Sequence, residues 1–264
     1  MAKSDLKARL RRGERILGTM VTIFDNPEIV KILKICGFDC FIVDCEHGGF
    51  TYESVANMLA LAREAGIAGI VRVPGAEREV VLKMMEMGAV GLLLPNTDTP
   101  EKARRLVEYA KYQPLGKRGV SLLRPHTGFE KIDNAVRFMR DSNADTLLMA
   151  QIESSLGVEN IEAILDVEGI DAVFIGPNDL TQNMGIYGQF THPDFVAALD
   201  RVITSARRKN KFSGIHLMSG AALKPWIEKG MALNLCGNDV VFMMKAAGQA
   251  VAEVNAFSAL AAAP

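Results

Sequence analysis

In a short stretch near residue 44, an apolar run is followed directly by three side chains that can bind or release protons. Phe41-Ile-Val-Asp-Cys-Glu-His47 begins like a buried strand and ends with Asp44, Glu46 and His47. Charged side chains are seldom fully buried unless they are paired. The unperturbed pKa of an imidazole lies near neutrality, and a carboxylate three residues earlier can orient the ring. We therefore expect His47 to move protons with Asp44 beside it.

Three further apolar runs also end in polar side chains. One carries Arg72, another carries Gln151 and Glu153, and a third ends in Asn178 and Asp179. Glu153 and Asp179 offer hard oxygen ligands with no cysteine, which suits Mg²⁺ or Mn²⁺. The planar guanidinium of Arg72 suits a carboxylate or a developing enolate oxygen. Backbone N–H groups near Asn178 and Asp179 could also hold a carboxylate, so the pattern favours a site for small anionic oxo acids.

Each of these side chains also has a purely structural interpretation. Asp44 could cap a turn, Arg72 could pair with a carboxylate in the core, and Asp179 could cap the following helix. Glu153 and Asp179 could equally be two unrelated acids. The functional interpretation gains weight only if one fold brings these strand ends together.

The chain alternates between short β-branched runs and amphipathic stretches. Apolar runs with little period-two alternation are typical of parallel strands that are covered on both faces. The predicted strand and helix pairs are 16–23 with 27–36, 40–44 with 52–65, 67–73 with 78–87, 91–95 with 100–110, 146–152 with 158–165, 172–175 with 193–209, 212–216 with 221–229, and 232–236 with 239–258.

Eight such pairs in 264 residues predict a single (β/α)8 TIM barrel over residues 1–264, because that fold takes about 250 residues. Catalytic residues of such barrels lie at the carboxyl ends of the strands, so the polar strand ends would share one site. The segment 111–143 breaks the alternation. Its Gly and Pro residues predict a long loop that serves as a lid or a subunit contact.

Composition and motifs exclude several classes of function. The 30 Lys and Arg residues nearly cancel 31 Asp and Glu, and without a basic stripe we expect no nucleic-acid partner. No apolar run approaches the roughly 18 residues of a membrane span and no signal peptide is evident, so we expect no membrane association and a cytoplasmic protein. Phosphate-binding and nucleophile-elbow motifs are absent, and no lysine interrupts an apolar strand run as a Schiff base would require.

Taken together, these motifs resemble the HpcH/HpaI family of class II, metal-dependent 2-oxo acid aldolases. The likeness runs from about residue 18 to residue 241. The motifs that carry it are Gly37-Phe-Asp39, Asp44-Cys-Glu-His47, Val71-Arg-Val-Pro74, Arg118-Gly-Val120, Gln151-Ile-Glu153 and Phe174-Ile-Gly-Pro-Asn-Asp-Leu180.

The resemblance implies a role for each residue of these motifs. His47 would be the proton acceptor, and Arg72 would stabilise the enolate. Glu153 and Asp179 would hold the divalent metal, with Co²⁺ or Zn²⁺ as alternatives to Mg²⁺ or Mn²⁺. Gln151 and the backbone of Asn178 and Asp179 would contact the substrate. The family's acidic partner of the histidine is commonly Asp, and Glu86 occupies the matching position here.

The resemblance also implies a barrel that assembles as a homohexamer, a trimer of dimers that exchange the last helix. Its small-molecule partners would be a 2-oxo acid and an aldehyde, and the reaction would make or cleave a 4-hydroxy-2-oxo acid. Two alternatives stay open. A related carbon–carbon lyase or synthase could use the same enolate on a CoA thioester or on oxaloacetate, and a silent protein could merely bind a metal or an oxo acid.

Overall fold

The computed structural model describes residues 5–261, with side chains to residue 257. Its eight parallel strands form one closed barrel in which each strand pairs with the next and the last pairs with the first. The predicted (β/α)8 barrel is therefore confirmed. The strands are β1 Ile16–Val21, β2 Cys40–Asp44, β3 Ala68–Arg72, β4 Gly91–Leu94, β5 Leu147–Ile152, β6 Ala172–Ile175, β7 Phe212–Leu217 and β8 Leu233–Asn238.

Helices surround this barrel in the described part of the chain. Their bounds are α1 Leu6–Arg11, α2 Ile29–Ile35, α3 Tyr52–Ala65, α4 Arg78–Met87, α5 Pro100–Ala110, α6 Ala135–Asp145, α7 Ser155–Glu159, α8 Ile161–Leu165, α9 Pro177–Asn183, α10 Pro193–Arg208, α11 Gly220–Glu228 and α12 Asp239–Ala261, with one 3-10 turn at Pro125–Thr127. Within residues 5–261, none of these helices has the length and hydropathy needed to cross a bilayer.

Two predicted elements need correction. The segment 111–143 is not one long loop, because α6 begins inside it where the side chain of Asn134 accepts a hydrogen bond from the backbone N–H of Arg137. That cap was readable from the sequence, but α6 lies mostly at the surface, and Asn143 alone among its residues is buried. The predicted helix over 158–165 is two short helices, α7 and α8, which meet at Asn160.

The core has two layers, one inside the barrel and one between the barrel and the helices. Alternate strand residues point inward, and those in the lower part of the barrel are apolar, as at Ile42, Ile70 and Phe174. Leu6 and Leu10 of α1 pack on this inner layer at the amino-terminal end of the strands. The other end of the barrel is therefore the end left for polar side chains.

Asp239 ties the last helix to the first strand. Its carboxylate accepts hydrogen bonds from the backbone N–H groups of Thr22, Ile23 and Phe24 and a 2.6 Å bond from the Thr22 hydroxyl. Burial alone would raise the pKa of Asp239, but these hydrogen bonds outweigh it and hold the pKa below its ordinary value. The carboxylate therefore stabilises the barrel in its ionised form.

We predict that Asp239→Ala lowers the free energy of unfolding by about 2 kcal/mol, because three backbone N–H groups and the Thr22 hydroxyl lose a charged acceptor. Since the folded pKa is depressed, this contribution is present above the unfolded pKa of about 4 and is lost as the pH falls below it. Urea unfolding of both proteins between pH 3 and 8 measures the difference. Asp25→Ala, a change at an exposed aspartate of the same loop, is the matched control, and an equal effect of both substitutions would contradict the assignment.

Candidate active site

Inward-facing residues at the carboxyl ends of the strands form a polar ring above the apolar inner core. In β2 the inward positions Cys40 and Ile42 lead to Asp44, and the register of β2 with β3 sets Asp44 opposite Arg72. The same alternation adds members from three more strands. The ring consists of Asp44, Arg72, Gln151, Gly176 and His216.

Asp44 and Arg72 form a buried bidentate ion pair in this ring. Nε and Nη2 of Arg72 donate to the two carboxylate oxygens of Asp44 at 2.9 and 2.6 Å. Oδ1 of Asp44 also accepts from the backbone N–H groups of Glu46 and His47. Burial alone would raise the pKa of Asp44, but Arg72 and these two N–H groups outweigh it and hold the pKa below its usual value. Asp44 therefore orients the guanidinium and the following turn, and it reaches His47 through the backbone.

Glu46 lies between the arginine and the histidine. Its Oε2 is 3.1 Å from Nη1 of Arg72 and 3.8 Å from Nε2 of His47. Burial raises the pKa of Glu46, while the charges of Arg72 and His47 partly offset that effect. The imidazole of His47 is 66% exposed, so it reaches the open mouth of the barrel.

Glu153 follows β5 and is buried in the same mouth. Its two oxygens accept from the backbone N–H of Asn96 and from Nε2 of Gln151, each at 2.5 Å. Burial, together with the negative charges of Glu46 and Asp179, raises the pKa of Glu153 to about 7 although these hydrogen bonds oppose the change. A buried carboxylate thus sits among other acids.

Asn178 and Asp179 lie in the first turn of α9, where both are exposed. The charge of Asp179 acts on both Glu46 and Glu153, so the structure brings Asp179 to the same mouth. The turn before α9 packs closely, because a Cβ on Gly176 would lie only 2.3 Å from Oε2 of Glu153.

The donor set fits a hard divalent cation that also binds substrate. Glu153 and Asp179 supply carboxylate oxygens, and Oε1 of Gln151 is buried without a hydrogen-bond partner. Mutual repulsion between the acids would be relieved by a cation. No group of three or more His, Cys, Asp or Glu among the described residues is arranged around a common ion, so water and substrate oxygens would have to complete the coordination.

Glu86 does not lie beside His47 within the chain. It is in the last turn of α4, at the amino-terminal end of the barrel, where its carboxylate is 3.9 Å from Nε of Arg124. The motif match placed Glu86 on the helix after β3 but did not show at which end of that helix it lies. Because α4 runs back along the outside of the barrel, its last turn is far from the carboxyl ends of the strands. The expected support of His47 by Glu86 is not formed between these residues of one chain.

Two residues of the mouth were missed by sequence reasoning. Asn96 follows β4 and adopts a left-handed backbone (φ 49°), a conformation that asparagine tolerates better than most residues; it directs its N–H at Glu153. Gly176 was read only as part of a turn, although its missing side chain makes room for Glu153. Polar residues after a predicted strand, as in Leu94-Pro-Asn96, were the available signal for the first of them.

Comparison with known proteins adds independent information. The model of the family described as HpcH/HpaI aldolase/citrate lyase matches residues 21–246. A hydroxypyruvate/pyruvate aldolase of Roseobacter denitrificans is 31% identical over 239 residues, covering 90% of this chain and 92% of that protein. A 5-keto-4-deoxy-D-glucarate aldolase of Klebsiella pneumoniae is 32% identical over 215 residues, covering 81% and 83%. The crystal structure of an HpcH/HpaI aldolase from Desulfitobacterium hafniense superposes with a TM-score of 0.91 at 34% identity, covering 94% of this chain and 96% of that one.

We predict that Gly176→Ala displaces the Glu153 carboxylate. The new Cβ would meet Oε2 of Glu153 at 2.3 Å and Nε2 of Gln151 at 2.8 Å, so the substitution should cost about 1–3 kcal/mol in stability. Thermal and urea unfolding measure the cost, and a crystal structure of the variant locates the carboxylate.

Gly220→Ala is the matched control, because a Cβ there meets nothing within 4 Å. We expect it to change stability by less than about 0.5 kcal/mol. Equal stability of the two variants, with Glu153 unmoved in the Gly176→Ala structure, would contradict the packing described here.

Proposed function

The chain belongs to the HpcH/HpaI aldolase/citrate lyase family and is a carbon–carbon lyase, and from that premise we propose that it makes or cleaves a 4-hydroxy-2-oxo acid. The products of cleavage would be pyruvate or a close 2-oxo acid and an aldehyde. The observation that carries the proposal is the barrel mouth itself, where a fully oriented arginine, an exposed imidazole and interacting carboxylates meet.

Glu153 and Asp179 would hold a divalent ion, Mg²⁺ or Mn²⁺ by the hardness of their oxygens. When bound, such an ion supplies a Lewis acid that polarises the carbonyl of the 2-oxo acid. Gln151 holds the carboxylate of Glu153 in place. The backbone N–H groups of Asn178 and Asp179 are the groups we assign to the substrate carboxylate.

Arg72 and His47 carry the proton and charge chemistry in this proposal. Asp44 occupies Nε and Nη2 of Arg72, and Nη1 lies 3.1 Å from Oε2 of Glu46, so the guanidinium is held at the mouth, where it would stabilise negative charge on the enolate oxygen. In the synthetic direction His47 would take the proton from the carbon next to the carbonyl. In the cleavage direction it would take the proton of the 4-hydroxyl group as the carbon–carbon bond breaks and deliver a proton to the enolate carbon. Oε2 of Glu46 lies 3.8 Å from Nε2 of His47, within reach of the imidazolium that this step would produce.

We also propose that the chain assembles with copies of itself through α12. Large apolar side chains of this helix are exposed in the single chain. They include Met243 at 57%, Met244 at 70%, Val251 at 59% and Phe257 at 70%, and exposed apolar patches of this kind mark interaction surfaces.

The proposed function predicts metal-dependent enolisation. The protein should exchange the methyl protons of pyruvate with D₂O, as followed by NMR. Treatment with EDTA should abolish the exchange, and Mg²⁺ or Mn²⁺ should restore it. His47→Gln should slow the exchange by about 10²-fold or more, since it removes the base.

His192→Gln, which changes a histidine at the start of α10, is the control and should leave the exchange unchanged. Full exchange by the metal-free protein would exclude the metal, and normal exchange by His47→Gln would remove its assigned role. Release of pyruvate from a panel of 4-hydroxy-2-oxo acids then identifies the aldol substrate. Turnover of oxaloacetate or CoA thioesters alone would point to the related lyase or synthase.

A further inference from the structure

A cavity of about 620 Å³ lies at the opposite end of the barrel from the candidate active site. It opens between α3, α4 and the segment 118–132, beside the residues that precede β3 and β4. None of the ring residues contributes to its lining. Part of the wall is apolar, with Leu59, Met85, Ile132 and Phe138, and the remainder carries several nitrogen groups.

Arg118 is the most buried of these groups and pairs with no acid within residues 5–257. The residue is only 5% exposed, and its Nε and Nη2 make no hydrogen bond to any described residue. Its guanidinium stacks over the ring of Tyr112 at 4.6 Å. Burial lowers the pKa of Arg118 although nearby Tyr112 and Glu86 oppose this. An unpaired buried charge normally costs several kcal/mol, so this arrangement requires a compensating partner.

Arg63 and His126 add two more unsatisfied groups to the same wall. Nη2 of Arg63 and both ring nitrogens of His126 are buried without a hydrogen bond of good geometry. Burial, followed by the charge of Arg118 and then that of Arg63, lowers the pKa of His126 to about 4, although the Glu86 carbonyl lies near enough to oppose the change. The three side chains are thus close enough to act on one another electrostatically.

Four acids line this cavity, Asp5, Asp39, Glu130 and Asp145. Asp39 is paired with Arg9 at 2.8 Å, and Asp5 lies 3.5 Å from Arg12. The carboxylate of Glu86 is 3.9 Å from Nε of Arg124. None of these acids is hydrogen-bonded to Nε or Nη2 of Arg118 or to Nη2 of Arg63.

We propose that this cavity binds a small organic anion, a carboxylate or a phosphate ester. Its charged oxygens would be held by Arg118 and Arg63, whose planar forks match both groups. Its apolar body would lie against the side chains of α3 and α4. The volume falls in the range of 300–1,000 Å³ that is ordinary for small-molecule sites.

Inorganic phosphate and citrate test the two anion chemistries. Thermal unfolding and calorimetric titration are run at constant ionic strength in EDTA, on the full chain. Either anion should raise the melting temperature of the wild type saturably. Glu153→Gln, which disables the other end of the barrel, should respond like the wild type, and so should Arg104→Gln, a change at an exposed arginine of α5.

Arg118→Met should abolish the response, and without any anion it should melt higher than the wild type, because an uncompensated buried charge is removed. Arg63→Gln, a milder change at the rim, should weaken binding by roughly tenfold if it contributes one charge-assisted hydrogen bond. Absence of a saturable response to both anions would overturn the proposal. So would a loss of oligomer mass in Arg118→Met without any anion effect, since Arg118 would then be pairing with a second copy.

A separate observation concerns His216, which occupies the ring at the end of β7. Its Nε2 lies 2.8 Å from the backbone oxygen of Gly237, which also accepts from the Thr19 hydroxyl. Because a carbonyl only accepts, Nε2 must carry the hydrogen and Nδ1 must be the unprotonated nitrogen. Nδ1 has no partner among the described residues and is not one of the buried unsatisfied atoms, so it opens onto the mouth.

The ring is held neutral beside charged neighbours. Burial lowers the pKa of His216, and the charge of Arg72 lowers it further, while Gly237 and Asp44 oppose the change. The mouth thus contains a fixed hydrogen-bond acceptor near the guanidinium that donates. We infer that Nδ1 of His216 accepts a hydrogen bond from a substrate hydroxyl, which would favour hydroxylated substrates; this inference rests on the proposed aldol function.

Substrate pairs that differ by one hydroxyl test the inference. Hydroxypyruvate is compared with pyruvate at a constant aldehyde, and glycolaldehyde with acetaldehyde at constant pyruvate. His216→Leu should lower kcat/KM by roughly tenfold for the hydroxylated member of one pair only, and the responding pair shows which reactant carries the hydroxyl. His216→Gln, which retains an acceptor, should recover part of the loss.

An equal effect of His216→Leu on both members of each pair would make its role structural and overturn the inference. A wild type without aldol activity on any of the four combinations would instead contradict the proposed function. The two failures are therefore distinguishable.

Discussion

The candidate site depends on one buried ion pair, that between Arg72 and Asp44. A bidentate pair fixes the conformations of both side chains at the mouth of the barrel and thereby sets the orientation of the guanidinium plane. Burying the two charges costs solvation that only good geometry repays. Here the geometry is good, since both oxygens of Asp44 are used and two backbone N–H groups add to them. The turn that carries His47 is held by the same carboxylate.

The acids of the mouth differ from the Arg72–Asp44 pair because their charges repel one another. The charge of Asp179 raises the pKa of both Glu46 and Glu153, and the charge of Glu46 adds to the effect on Glu153, because the strand ends bring these acids into one volume. Arg72 offsets part of this repulsion at Glu46, where its Nη1 lies 3.1 Å from Oε2. Glu153 has hydrogen-bond donors but forms no ion pair within residues 5–257, and the proposed dication would supply positive charge there and bind an anionic substrate.

Much of this could be predicted from the sequence, and the reasons are physical. Parallel strands covered on both faces are continuous apolar runs, so β2 and β6 and the helices α3, α4 and α5 were predicted with their observed bounds. Barrel closure then brings Arg72 and Glu153 to one end, because all strands point the same way.

The predictions that failed or were missing concern the position of a residue along its helix and its hydrogen-bond partners. The alternation of apolar and amphipathic segments carries no information on either. Glu86 shares its helix with residues that begin near the mouth, but the eight residue steps from Arg78 carry it roughly 12 Å toward the far end. Asn96 acts through its backbone N–H, so the polar residue after β4 could indicate its place at the strand end but not its contact with Glu153. The orientation of His216 depends on a carbonyl of the neighbouring strand, and that carbonyl is contributed by a residue far away in the chain.

A buried arginine lies at each end of the barrel, Arg72 at one and Arg118 at the other, and the two have different partners. At the carboxyl end Arg72 has the carboxylate of Asp44 within its reach on the neighbouring strand. At the amino end Arg118 stacks on the ring of Tyr112, and its Nε and Nη2 make no hydrogen bond to a described residue. The difference follows from the elements that carry the two arginines, because strand register sets Asp44 opposite Arg72, whereas Arg118 lies outside the strands in the segment after α5. Both ends of the barrel therefore carry a buried guanidinium group. The site at the carboxyl ends of the strands is sufficient to account for a carbon–carbon lyase.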